Sequence, residues 1–230
     1  MMREARMQRT ARFVVIGAVI VAFAIGIATW PYLPEQVPTH WNAAGEVDGY
    51  SSRAFGAFFF PAMMAGLGLL LWFLPRIDPL KKNIEKFRAE YEVFIAVFEV
   101  FFLMMYVVTI LTALGVDVSM NVAVSLGTGV LFIAVAWMIG RAKRNFFIGI
   151  RTPWTLMSDE VWARTHALGS KLFYAAGVIA MLGAIFPDYA IWFILVPSLV
   201  AALGTYVYSY VIYQRLVPSD DAGGPPPASS

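Results

Sequence analysis

The sequence predicts an all-α integral membrane protein with six transmembrane helices, both termini in the cytoplasm, one ordered extracytoplasmic loop and one cytoplasmic interfacial segment. Three observations predict it. Of the 230 residues, 60% are hydrophobic and only 14% charged, and the mean hydropathy is +0.69, a balance from which a water-facing surface cannot be built. Apolar runs recur at close to the roughly 20 residues that a helix needs to cross a hydrocarbon core about 30 Å thick. The basic residues are also segregated along the chain, as they are when loops alternate between two sides of a bilayer.

The spans follow in order. The first covers about 13–30 and is preceded by Arg3, Arg6, Arg9 and Arg12. It has the charged and apolar regions of a signal peptide but lacks a small-x-small cleavage site before Trp30-Pro31, so it reads as a retained signal anchor. The second, about 55–74, is closed by Pro75. The third runs over about 91–114 to Gly115, and the fourth over about 120–139. The fifth and sixth, about 172–186 and 190–213, are separated by the turn pair Pro187-Asp188. The fifth is short, yet Ser158 followed by Asp159 and Glu160 makes a good helix start. A helix beginning there would lie at the cytoplasmic interface for its first turns and enter the membrane after residue 171. Residues 1–217 thus form a single membrane domain. The tail 218–230, "PSDDAGGPPPASS", has no core-forming residues and is expected to be disordered.

With six crossings, the four N-terminal arginines, five basic residues in 76–88, six in 141–171 and Arg215 fall on one side, and Arg53 alone on the other. The positive-inside rule makes the crowded side cytoplasmic. A net charge of +2 gives no reason to expect direct nucleic-acid binding. The absence of cysteine excludes disulfides, thiol nucleophiles and thiolate metal sites.

Segment 31–54 is longer than a turn between neighbouring helices needs to be. Pro31, Pro34 and Pro38 stiffen its first part, Asn42 to Gly45 can turn on a left-handed glycine, and Asp48-Gly49 is a second turn pair. Trp30, Tyr32, Trp41 and Tyr50 suit the headgroup level. His40, Trp41, Asn42 and Asp48 are the candidate ligand-binding residues. A metal site using His40, Glu46 and Asp48 is poorly supported by one histidine with acids at irregular spacing, and no metal or other cofactor is expected. The other readings are a loop whose His40 and Asn42 bond its own backbone, and a surface for a ligand or partner.

The second polar concentration is 145–173, "NFFIGIRTPWTLMSDEVWARTHALGSKLF". Arg151 to Thr155 reads as an extended strut, because Pro153 biases Thr152 away from helix. Trp162, His166 and Gly169 share one helix face, which would hold His166 over a cytoplasm-facing pocket with Thr165, Thr155 or Arg151 within bonding reach. Arg151, Thr152, Trp154, Trp162 and His166 are therefore candidate ligand-binding residues, against the plainer reading of a Trp/Arg/His belt that fixes an interfacial helix. The His and hydroxyl residues here match no catalytic motif, and no catalytic residue is assigned. His40 and His166 are expected on opposite faces.

Glu99 is the acidic residue most firmly inside a span, and an intramembrane carboxylate is a functional candidate because an unpaired charge there is expensive. Glu85, Glu92 and Glu99 repeat at a regular heptad-like interval along one side of the third span. A membrane transporter or membrane-embedded enzyme using Glu99 or the loop histidines is the alternative function class.

Two of these stretches carry a family resemblance. "LPEQVPTHWNAAGEVDGYSSR", residues 33–53, resembles the outer-loop signature of the N-terminal domain of unknown function associated with the SdpI family of six-span bacterial membrane proteins. "IGIRTPWTLMSDEVWARTHALGSKLF", residues 148–173, resembles the SdpI signature of Arg-Thr-Pro-Trp-Thr followed by Trp four residues before His. One departure is Gly169-Ser170, where a Gly-Gly pair is common. The resemblance implies a multi-pass protein of the bacterial cytoplasmic membrane that gives immunity to an extracellular peptide toxin. It also implies signalling, by holding a cytoplasmic transcriptional repressor at the membrane.

Overall fold

The computed structural model describes residues 2–216. The expected disordered tail, 218–230, lies outside the described residues. The long helices are α1 (Met2–Thr29), α2 (Arg53–Ile77), α4 (Arg88–Ala113), α5 (Met120–Ile139), α7 (Asp159–Leu182) and α8 (Ala190–Leu216). Two short ones, α3 (Lys81–Ile84) and α6 (Pro153–Met157), lie in connections, and α3 leads into α4 through a tight turn at Glu85–Phe87. The protein is not wholly helical. Strands β1 (Gln36–Trp41) and β2 (Val47–Ser52) form an antiparallel hairpin between α1 and α2.

Among the described residues five helical segments are long and apolar enough to cross a bilayer: Met2–Thr29, Arg53–Ile77, Lys81–Ala113, Met120–Ile139 and Pro187–Leu216. With these spans the chain is a multi-pass membrane protein. The expected fifth span, 172–186, is the apolar second half of α7, which ends earlier, at Leu182. Its first half carries Asp159, Glu160, Arg164 and Lys171 and starts on Ser158, whose hydroxyl accepts from Val161 N–H at 3.3 Å. At 1.5 Å per residue α7 is about 36 Å long, packed between α5 and α8.

Packing divides the helices into two neighbourhoods that meet where α4 packs on α5: α1, α2 and α4 on one side, α5, α7 and α8 on the other. Helix α1 buries the small residues Ala11, Ala18, Ala22 and Gly26, which lets it approach its neighbours closely where lipid supplies no hydrophobic drive between helices. One core cluster, around Ala22, Leu33, Val37 and Tyr106, seats the hairpin on α1, α2 and α4. Another, around Phe87, Tyr91, Ile148 and Trp162, fills the opposite end.

Pro75 does not close the second span: α2 continues through both Pro61 and Pro75 to Ile77. A proline in a helix frees the carbonyl four residues earlier, and in a bilayer that acceptor must be satisfied by protein. Here α4 supplies the donors. The Tyr106 hydroxyl donates to the Ala57 carbonyl at 2.6 Å and the Tyr91 hydroxyl to the Leu71 carbonyl at 2.7 Å.

Candidate functional site

The hairpin is built by its turn and by two irregularities in its ladder. Asn42 accepts from the N–H groups of Ala44 and Glu46 through its side-chain oxygen, at 2.9 and 3.0 Å. Its amide also donates to the Glu46 carboxylate at 3.0 Å. Gly45 is left-handed, as expected, at φ 83°. Asp48-Gly49, by contrast, is not a turn but lies inside β2. The ladder pairs Pro38 with Tyr50, His40 with Gly49 and Trp41 with Val47, leaving Thr39 and then Asp48 as unpaired extra residues. Glycine at 49 meets a steric need rather than a turn's need, since a Cβ there would lie 2.8 Å from His40 Cβ. The bulge at Asp48 brings its carboxylate to His40 Nδ1 at 2.5 Å, and both side chains are well exposed. Trp41 packs toward Met105, Val108 and Met120. Val37 and Leu33 are buried beneath the hairpin, so the His40–Asp48 pair is displayed on a fixed platform. Among the described residues no three His, Asp or Glu side chains are placed to hold a metal ion.

The outer connections meet one another. Asn121 donates to the Ala43 carbonyl at the hairpin tip (3.5 Å) and to the Pro187 carbonyl (2.9 Å). The opposite end gathers the basic connections in the same way. Asp78 is buried and accepts from Leu80 and Phe146 N–H groups, at 2.6 and 2.8 Å, and Asn83 donates to the Arg144 carbonyl at 2.8 Å. Asn145, also buried, accepts from the N–H groups of Phe147 and Ile148. Sequence reasoning passed over Asp78, Asn121 and Asn145. The Asp78-Pro79 pair was a readable turn signal, but nothing in sequence marks the distant partners of Asp78 and Asn121, 66 to 78 residues away.

In the segment between α5 and α7 the extended strut stops at Thr152. Pro153 starts α6, where its missing N–H and fixed φ suit the first helical turn. Thr152 and Thr155 cap it reciprocally, and the Thr152 hydroxyl reaches Ser209 of α8 at 3.0 Å. Trp154 packs on Tyr206 and Tyr210. Arg151 is exposed and donates to the Phe146 carbonyl at 2.8 Å. Trp162 stacks on His166 with centroids 4.0 Å apart and donates its indole N–H to the Ala142 carbonyl at 2.9 Å.

His166 does not overlook an open pocket, and neither Thr165, Thr155 nor Arg151 bonds it. It is buried, with Nδ1 2.8 Å from the Trp162 carbonyl and Nε2 accepting from Ile150 N–H at 3.0 Å. A backbone N–H can only donate, so Nε2 is the unprotonated nitrogen and Nδ1 carries the hydrogen. Burial pushes this imidazole down to about 4, against a smaller upward pull from the Trp162 carbonyl. The close approach needs Gly149, which has φ 113° and would place a Cβ 2.5 Å from Nε2.

The acids of the third span differ. Glu85 is exposed. Glu92 is buried and takes both Arg12 nitrogens, Nε to Oε2 at 2.8 Å and Nη2 to Oε1 at 2.7 Å, together with Arg88 Nε at 2.9 Å. Glu99 is fully buried and, among the described residues, has no hydrogen-bond partner on either oxygen. His40 and His166 lie at opposite ends of the bundle, Glu99 between them.

The two segments built above are those that known proteins match. The model of the SdpI/YfhL protein family matches residues 141–209, and that of the domain of unknown function DUF1648 matches residues 17–65. The chain is similar to Immunity protein SdpI of Bacillus subtilis (strain 168), with 28% identity over 86% of this chain and 93% of that protein. Residues 141–209 thus match the SdpI/YfhL family, and the similarity to a member of that name extends over most of the chain. The chain is also 38% identical over 48 residues to the uncharacterized membrane protein YbgB of the same strain, a match spanning 21% of this chain and 53% of that one. No solved structure matches it. The two matched regions are the hairpin with its flanking helices, and the α6–α7–α8 unit with His166 at its centre.

Proposed function

We propose that this protein acts as an SdpI-type protein and gives its cell immunity to an extracellular peptide toxin, with the hairpin as the toxin-facing element. The observation that carries the proposal is its similarity, over nearly the whole of both chains, to a protein named for immunity. The geometry supports the assignment of roles. The hairpin end displays an exposed, mutually bonded imidazole and carboxylate on a packed base, a surface fit to bind a peptide without rearranging its own backbone. The sixteen-to-one distribution of basic residues puts that end outside the cell.

The same proposal places a cytoplasmic transcriptional repressor against the opposite end, where Arg151, Trp154 and the start of α7 form a tied-down surface. Toxin would hold the repressor there only if it bound one arrangement of the helices more tightly than another. The proposal assigns no catalytic role to His166, both of whose nitrogens are used by the protein's own backbone.

Survival of a toxin-sensitive bacterium exposed to a secreted sporulation-delaying peptide tests the reading. Cells expressing the protein should survive where empty-vector cells die, and His40→Ala with Asp48→Ala should abolish protection at unchanged membrane levels. Equal killing with and without the protein rejects the immunity role. Protection by the double variant equal to that of the parent rejects the hairpin as the toxin-facing element.

A further inference from the structure

Glu92 and Glu99 lie on the same side of α4, about 10 Å apart along the axis, in opposite surroundings. Glu92 is held by two guanidinium groups. Glu99 is 0% exposed and has no donor to either oxygen among the described residues. An ionised carboxylate can only accept hydrogen bonds, and a charge with neither a partner nor water is the costliest state a side chain can take inside a membrane. The neutral acid avoids that cost.

The charged groups around it do not offer an alternative. From α1 comes Arg12, already bidentate to Glu92; from α4 itself come Glu92 and Arg88, paired with each other. On α2, Arg76 stacks on Trp72, and α5 carries no ionisable residue. The Tyr91 and Tyr106 hydroxyls are spent on the carbonyls beneath the two prolines.

The carboxyl is nevertheless close to an opening. A Cβ at Gly68 of α2 would stand 3.0 Å from Glu99 Oε1. Gly68 also lines a cleft of about 420 Å3 among α1, α2 and α4, with Arg12, Val15, Trp72, Glu92 and Ile95. The side chain that glycine lacks leaves the carboxyl directly behind the cleft wall, and the Arg12–Glu92 pair stands in the same cleft.

We propose that Glu99 is a proton-binding site. It holds its proton as the neutral acid in this conformation and exchanges it through the α1–α2–α4 cleft, so that any movement parting α2 from α4 at Gly68 and admitting water releases the proton. The proposal is independent of toxin binding. Infrared spectra of the full chain in lipid nanodiscs at neutral pH should contain a protonated-carboxyl C=O band that Glu99→Gln removes. Dicyclohexylcarbodiimide, which is lipid-soluble and reacts with protonated carboxyls, should label Glu99 in the unaltered protein by peptide mass spectrometry, less so as pH rises, while a water-soluble carbodiimide should not. The labelling needs no variant, so it stands even if Glu99→Gln does not fold. Absence of both the band and the label shows Glu99 to be ionised and overturns the proposal. Equal labelling by the water-soluble reagent shows the carboxyl open to bulk water in this conformation and overturns its being held as a neutral acid behind the cleft wall.

Discussion

His166 looks at first like a chemical residue and is built as a strut. Its ring is stacked on Trp162, accepts from one backbone group and donates to another, and fills the space that Gly149 leaves. Protonating Nε2 would set two N–H groups against each other in a buried site. The free imidazole titrates near 6.5 and this one is pushed down to about 4, so the unfolded chain binds the proton first. Stability is therefore complete above about pH 6.5 and is lost as pH falls from there toward 4, by about 3 kcal/mol at most. Thermal unfolding in detergent across pH 4–7 should show this slope, and His166→Gln should flatten it. An unchanged slope in the variant would move the effect to other groups. The Trp162–His166 spacing was readable as one helix face. That the face is closed by residues 148–150 was not, because the contact depends on where a loop folds back.

Among the helices, α2 shows how a sequence that breaks a local rule is rescued from elsewhere. Pro61 and Pro75 should weaken it, and Pro75 reads as a stop. The helix survives because α4 presents Tyr106 and Tyr91 at nearly the same interval as the Ala57 and Leu71 carbonyls on the antiparallel α2. Tyr106→Phe keeps the ring and leaves the Ala57 carbonyl unpaired, which should cost about 1–2 kcal/mol. Tyr91→Phe should act alike, and the two sites are far enough apart to add. Unfolding of single and double variants in mixed micelles checks this, and no loss in either single variant would mean that the carbonyls find other donors. The hairpin carries the converse lesson. Asn42 to Gly45 was legible as a turn from local chemistry, whereas Asp48-Gly49, equally turn-like, was taken into a strand because Gly49 lies against His40 and Asp48 is bulged out.

Across the bilayer, the connections sort themselves into two groups, each tied together by its own hydrogen bonds. Asn121 joins the hairpin tip to the Pro187 turn, and Asp78 and Asn83 join the 78–88 connection to the 144–146 backbone. This matches the alternation read from the basic residues. A chain without cysteine is a ready background for testing it. Glu46→Cys should react with an impermeant maleimide added to intact cells, and Glu160→Cys only after the cells are opened. The reverse pattern would invert the orientation. Hydropathy settled the membrane class, and with the basic residues it gave an expectation for the spans and their sidedness, because those depend on composition summed over a whole span and on lysine and arginine counts in loops. The tertiary structure alone decided which polar groups are spent on the protein and which remain available. Arg12 meets Glu92 far along the chain, Tyr106 meets a carbonyl freed by proline, and Glu99 finds no donor among the described residues. Such pairings arise where helices cross, and no local pattern records a crossing.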